Sequence, residues 1–452
     1  MSKPLPKSME LVSRDREVLS PASRITYYPL AVSRAEGSRI WDLDGNEYID
    51  LLSGAAVNNV GHCHPEVVQA IKVQAGRLVH NTLAYSYYEL PVILAEKLVQ
   101  LTPGAFPKRV AFSLSGSDAN DGAMKLARAA TGRTKIISFL GSYHGTTFGA
   151  LTLSAITPKM KRRLGPLVPG VFHVPYADCY RCYFGLEYPS CSLRCLEYIQ
   201  TLFDMTIPPD EVAAFILEPI QGDAGVVIPP DEFILEIKEL CEENGILFID
   251  EEVQTGFART GMMFAVEHCA IVPDAIIAAK PIASGMPMGV IIAKKEVMEG
   301  WSAPAHLFTT EANPVSCAAA LATLDIIEKD RLADRAQRLG QTVTKRFIEM
   351  EEGLDLIGEV RGKGLLIGVD LVRDRKTKKP ARQEAMKVCW RAWEKGLIMI
   401  SFGRYGNVLR IAPPLTISED DLESALGIVE ASIKDVMKGD VPDSVLIEMD
   451  AW

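Results

Sequence analysis

Two short apolar runs each end in groups that could do chemistry together. Residues 246–249 (ILFI) are followed by Asp250, Glu251 and Glu252, and residues 275–279 (AIIAA) are followed by Lys280. Each run is too short for a free-standing helix and is flanked by Gly or Pro, so each reads as a buried strand. Carboxylates and a lysine at the carboxyl ends of neighbouring parallel strands meet in one crevice, where such sheets bind ligands. A lysine in a partly desolvated crevice loses its proton more easily and becomes an amine nucleophile. An acid facing it suits a cofactor with a protonated ring nitrogen, and pyridoxal phosphate uses this pair of groups.

The elements that must position these groups follow along the chain. Residues 109–114 read as a strand, broken by Ser115-Gly116-Ser117-Asp118 before a helix-forming run, 119–130. Strand, glycine turn and helix start hold a phosphate through backbone N–H groups and the positive end of the helix dipole. The plain alternative is a capped helix with Ser117 or Asp118 as N-cap, and both can be true together. A second strand, 135–140, leads into Gly141-Ser-Tyr143-His-Gly145. Tyr143 can stack on a flat ring or simply pack the loop. Residues 213–217 form another buried strand ending in Glu218, with Asp223 close behind, two carboxylates available for acid/base work. Short buried strands alternating with helices such as 233–244 indicate an α/β fold: a doubly wound, mostly parallel sheet between 109 and 295. Residues 155–200 read as an excursion from this pattern.

Outside that region, 1–35 read as an arm rich in proline. Residues 38–51 read as a hairpin about Asp44-Gly45. Residues 66–78 and 86–102 read as helices. His62 and His64 flank Cys63 with no third ligand near in sequence, which fits a helix start better than a metal. Residues 340–452 alternate helices and strands in a smaller α+β domain, with strands at 365–371 and 407–411.

A chain of 452 residues is too long for one small core. The net charge of −10 comes with no basic block, which argues against nucleic acid as main partner. No run of about 18 apolar residues is present, so no membrane span is expected. The N-terminus lacks the apolar core of a signal peptide, and the expected location is cytoplasmic. Of nine cysteines, Cys63, Cys241, Cys269, Cys317 and Cys389 are scattered and read as buried thiols. Cys179, Cys182, Cys191 and Cys195 have spacing that could hold a structural zinc, or they form a loop of unligated thiols. The chemistry proposed at Lys280 needs no metal.

SGSDAN at 115–120, GSYHG at 141–145, EPIQGD at 218–223, the 246–289 stretch and NVLRIAPPL at 407–415 together resemble the class III aminotransferases, pyridoxal phosphate enzymes of fold type I. The resemblance runs from about Ser23 to the C-terminus. It implies a large mostly parallel-sheet domain over 76–315 and a smaller α+β domain built from 1–75 and 316–452. It also implies pyridoxal phosphate as cofactor, held by Gly116, Ser117, Tyr143, Glu218, Glu251, Gln254, Lys280 and Thr309. Thr309 implies a homodimer with shared active sites, or a tetramer built from it. Arg410 resembles the family's carboxylate-binding arginine, for which a two-pronged guanidinium is suited, and Asp223 borders the substrate. The sequence departs from the family where Glu251 replaces Asp beside the ring nitrogen, where Pro281 follows Lys280, and where Ala312 stands in place of Gly. Alternation along a strand turns Asp250 and Glu251 to opposite sides, and Glu251 is the expected ring partner.

The chemistry is read in two ways. In the first, an aminotransferase moves an amino group between an amino acid or ω-amino acid and a 2-keto acid through a Lys280 Schiff base. In the second, an amino-acid racemase or 2-epimerase uses Lys280 and Asp223 on opposite faces of the substrate. Asp223 and SAPAHLFTT at 302–310 resemble the racemase and isoleucine 2-epimerase branch. A third reading, a non-catalytic binding module, is opposed by the presence of Lys280, Gln254, Tyr143 and Arg410.

Overall fold

The apolar runs pair into one sheet. A computed structural model of the chain describes residues 4–449. In spatial order the seven strands are Lys108–Ser113, Gly289–Lys294, Ala275–Ala278, Leu247–Glu251, Val212–Leu217, Lys135–Phe139 and Val171–Val174. The last five run parallel to one another. Gly289–Lys294 is antiparallel to both of its neighbours. Every residue of Val212–Leu217 and of Ala275–Ala278 is buried, as the unbroken apolar runs require. Helix Gly116–Thr131 lays Ala119, Ala123, Leu126 and Ala127 into a core with Ile216, Ile249, Ile277 and Ile291. Register sets the functional ends level: Leu217 pairs with Asp250, Asp250 with Ile276, and Glu251 with Ile277. The residues that follow these strands therefore emerge at one edge.

Two local readings need correction. The helix after the first strand begins at Gly116, and its N-cap is Ser115, whose Oγ accepts the Asp118 N–H at 3.2 Å. Ser-Gly-Ser-Asp offers three side chains able to cap, and the extended backbone of Ser115 decides among them. The stretch read as an excursion contains the edge strand Val171–Val174. It is four residues long and only half-buried, so it gives no periodic signal.

By compactness the chain divides into 65–334 and a second unit of 1–64 with 335–452. Helix Pro65–Ala75 packs on helix Pro314–Lys329, which keeps both in the first unit, beyond the expected limits of 76 and 315. In the second unit, strands Val32–Glu36, Arg39–Asp42, Glu47–Asp50 and Leu397–Ile398 make one small sheet. Ile357–Lys363, Leu366–Asp374, Val408–Ile411 and Ser401–Phe402 follow one another in another sheet, with Lys379–Pro380 at its side. Tyr28 stacks on Trp393 at 5.6 Å between ring centres, beside Ile40, Tyr48 and Ile398.

Ala312 has φ +48, the left-handed region, although its side chain carries a Cβ. That conformation costs an L-residue about 1–2 kcal/mol. Glycine removes this cost and adds about 0.4–1 kcal/mol of unfolded-chain entropy to overcome. Ala312→Gly is therefore expected to raise the thermal unfolding midpoint slightly. A fall would mean that packing of the buried Ala312 methyl outweighs the backbone strain.

Candidate active site

The 65–334 unit gathers its chemistry where chain leaves the strands. Glu218 follows Val212–Leu217, Glu251 closes Leu247–Glu251, and Lys280 stands two residues beyond Ala275–Ala278. Glu218 is buried and fixed by backbone donors: the Tyr143 N–H reaches its Oε1 at 3.0 Å and the Gly222 N–H its Oε2 at 2.9 Å. One carboxyl group thus ties the Tyr143 loop to the loop bearing Asp223. Gln254, also buried, donates from Nε2 to Asp223 Oδ2 at 3.0 Å. Asn120 donates from Nδ2 to Glu251 Oε1 at 3.3 Å and to the Gly116 carbonyl at 2.9 Å. Lys280, Asp223, Tyr143 and Ser117 are half-exposed, whereas Glu218, Glu251 and Gln254 are buried.

Burial dominates the electrostatics. It pushes the Glu218 carboxyl up to about 8, against the pull of its two backbone donors, and the charges of Asp223 and Lys280 act on it in opposite directions. Glu251 is raised well above the carboxylate range, first by burial and then by Glu218, with Lys280 and Asn120 opposing. Asp250 is raised too, by burial and then by Glu252, with a further contribution from Glu251. Glu252 rises to about 7 through burial while accepting the Val266 N–H at 2.9 Å and a hydrogen bond from Thr255. Tyr143 is pushed up to about 12 by burial, then by Asp223 and Glu251.

The residues present fit pyridoxal phosphate. Gly116 and Ser117 open a helix, so their N–H groups have no carbonyl a turn earlier to bond. Ser117 Oγ accepts the Thr146 N–H at 2.8 Å, which leaves its own O–H to donate. The wall beside them is built of close backbone. A Cβ on Gly145, at φ +125, would lie 1.8 Å from Ser117 Oγ, and one on Gly116 would lie 2.9 Å from Val253 Cγ1. The buried, proton-holding Glu251 suits a basic ring nitrogen. Lys280 has φ +27, a strained backbone for a residue with a side chain. Pro281 opens the 3-10 turn Lys280–Ala283, where the missing N–H breaks no hydrogen bond.

Thr309 is exposed on the loop before helix Pro314–Lys329. Arg410 belongs to the other unit, buried on strand Val408–Ile411 with its guanidinium 4.5 Å from the Phe402 ring centre. Sequence reasoning assigned no role to Asn120, although its place one turn after Gly116 aims it back at the strand ends. Among the described residues no three His, Cys, Asp or Glu side chains are gathered to hold a metal ion. All nine cysteines are free thiols, with Cys63 exposed and Cys269 half-exposed, against the expectation that both are buried. No described helix is long and apolar enough to cross a membrane.

Residues 21–433 match the model of the family described as aminotransferase class-III. The chain is 46% identical to the leucine/methionine racemase of Thermococcus litoralis, over 98% of this chain and 99% of that one. It is 44% identical to the isoleucine 2-epimerase of Lentilactobacillus buchneri, over 97% of each. Among solved structures it is similar to an (S)-enantioselective omega-transaminase from Thermomicrobium roseum, with TM-score 0.88, 32% identity, and coverage of 95% of this chain and 99% of that one.

Glu218 and Glu252 hold protons in the folded state that the unfolded chain releases near 4.5. Their contribution to stability is complete below 4.5 and is lost as pH rises to about 8. The cofactor-free protein should melt at a lower temperature at pH 8.5 than at pH 6, with a smaller drop in Glu218→Gln. A melting temperature that climbs over this interval would mean that neighbouring donors stabilise the anions instead.

Proposed function

Because the chain belongs to the class III aminotransferase family, we propose that it binds pyridoxal phosphate, removes the proton on the amine-bearing carbon of a neutral amino acid from one face and replaces it on the other, as a racemase or 2-epimerase. The observation that carries this reading is Asp223. Its carboxylate is held by Gln254 at 3.0 Å, it is half-exposed, and its charge is felt by Glu218 together with that of Lys280. An acid and an amine serving one crevice provide the two proton carriers of a two-base inversion. The named activities of the leucine/methionine racemase and the isoleucine 2-epimerase support both the reaction and a neutral, branched or linear side chain.

When bound, pyridoxal phosphate supplies an electron sink for the charge left on the amine-bearing carbon. Gly116 and Ser117 would hold its phosphate, Tyr143 its ring face, Gln254 its ring oxygen and Glu251 its ring nitrogen. Lys280, as a free amine, takes the proton from one face of the carbon and becomes an ammonium. Asp223, protonated beforehand from solvent, gives its proton to the other face and becomes a carboxylate, and that carboxylate and the Lys280 ammonium are the base and the acid for the opposite enantiomer. Glu218, which the resemblance places near the cofactor, also acts through the loops it holds. It fixes the Tyr143 and Asp223 loops through two backbone bonds. The resemblance gives Arg410 the substrate carboxylate, and gives Thr309 the phosphate held by a second copy in a homodimer. Exposed Val79, Tyr85 and Tyr87, close together in sequence, support such an association.

A second reading, amino transfer to a keto acid, is favoured by the likeness to the omega-transaminase. It needs Lys280 alone, which can return a proton on the face from which it took one. Incubation of single-enantiomer leucine, isoleucine and methionine in D2O separates the two. Deuterated product of opposite configuration is expected without any keto acid. Asp223→Asn should slow it by roughly 100-fold or more while exchange with retained configuration continues. Product that forms only after a keto acid is added would establish the aminotransferase instead.

A further inference from the structure

The segment 302–310 carries Thr309 but has no regular secondary structure, and most of it is exposed. His306 is its inward anchor, with a side chain only 1% exposed. The ring stacks on Trp301 at 5.7 Å and meets Phe308 edge-on at 4.8 Å. Its Nε2 lies 2.9 Å from Ser113 Oγ and 3.9 Å from Asp118 Oδ1. Ser113 ends the strand that runs into the Ser115–Ser117 turn, and Asp118 sits in the first turn of the helix beyond it. The fit is close: a Cβ on Gly122, one turn further along that helix, would lie 2.7 Å from His306 Nε2. Two further bonds hold the segment's backbone beside the ring. Lys125 Nζ donates to the Ala305 carbonyl at 2.8 Å, and the Phe308 N–H reaches Glu311 Oε2 at 3.3 Å. Burial, and then the charge of Lys125, push His306 down to about 4, so at neutral pH it acts as an uncharged ring.

We propose that His306 is a positioning residue for Thr309: it pins the Thr309 segment to the strand and helix that flank the phosphate-binding turn. The proposal rests on the reading that Thr309 contacts the cofactor phosphate. Its consequence in a dimer is direct. The arm that one copy lends to its partner is fastened to the same helix that holds its own cofactor, so the two sites share a mechanical support.

The test is titration of cofactor-free protein with pyridoxal phosphate, followed by absorbance, together with its unfolding midpoint without cofactor. The variants are Thr309→Ala, His306→Ala, the double variant, and His306→Phe, which keeps the packing against Trp301 and Phe308 but loses the bond to Ser113. Each single alanine variant is expected to weaken cofactor binding by roughly tenfold to a hundredfold. The double variant should bind no more weakly than the weaker single one, because both changes remove the same contact. His306→Phe should fall between wild type and His306→Ala, and it decides the matter if His306→Ala does not fold. Wild-type affinity in both His306 variants beside a weakened Thr309→Ala would overturn the role of His306 and leave that of Thr309 standing. Losses that multiply in the double variant would do the same. Undiminished affinity in Thr309→Ala would overturn both.

Discussion

Four carboxyl groups, Glu218, Asp250, Glu251 and Glu252, are buried at the ends of two adjacent parallel strands. They cannot all be charged in so small and dry a volume. Each meets the constraint differently. Glu218 draws two backbone N–H groups from separate loops and thereby fixes the distance between them. Glu252 takes donors from Thr255 and Val266 and keeps the chain beyond the strand folded back. Glu251 keeps its proton through burial beside Glu218 while its Oε1 accepts from Asn120, and Asp250 holds its own toward Glu252. The loops of the site are thus shaped largely by the need to satisfy acids. Lys280 keeps its positive φ at the end of these packed strands.

Much of this arrangement could be read directly. The buried strands announce themselves as apolar runs ended by charge, and Lys280, Glu251 and Glu218 are visible because a charged residue at the end of such a run has few structural reasons to be there. The turn at Ser115 was legible as a turn but not in its detail, because three adjacent side chains can cap and only the backbone angles choose. Val171–Val174 was missed because an edge strand half-open to solvent has no apolar alternation to show. The limits of the two units were displaced because the pairing of helices Pro65–Ala75 and Pro314–Lys329 joins residues far apart in sequence.

His306 marks a different kind of limit. In the sequence it is one histidine in a loop, and nothing nearby hints that Ser113, Gly122 and Trp301 converge on it. Its meaning depends on contacts nearly two hundred residues away. Asn120 is an intermediate case. Helical periodicity places it on the same face as Gly116, yet only the sheet register shows that this face looks onto Glu251.

The glycine wall has an evolutionary corollary. Side chains at Gly116, Gly145 and Gly222 would collide with Val253, Ser117 and Gln254 respectively. A side chain at Gly145 would have to displace the Ser117 backbone, whereas at Gly116 and Gly222 a neighbouring side chain would have to move. Change within this architecture meets less resistance at half-exposed side chains such as Asp223 and Tyr143 and in the exposed segment around Thr309. A close-packed glycine wall beside a more open rim is compatible with a family whose members are named both as racemases and as transaminases.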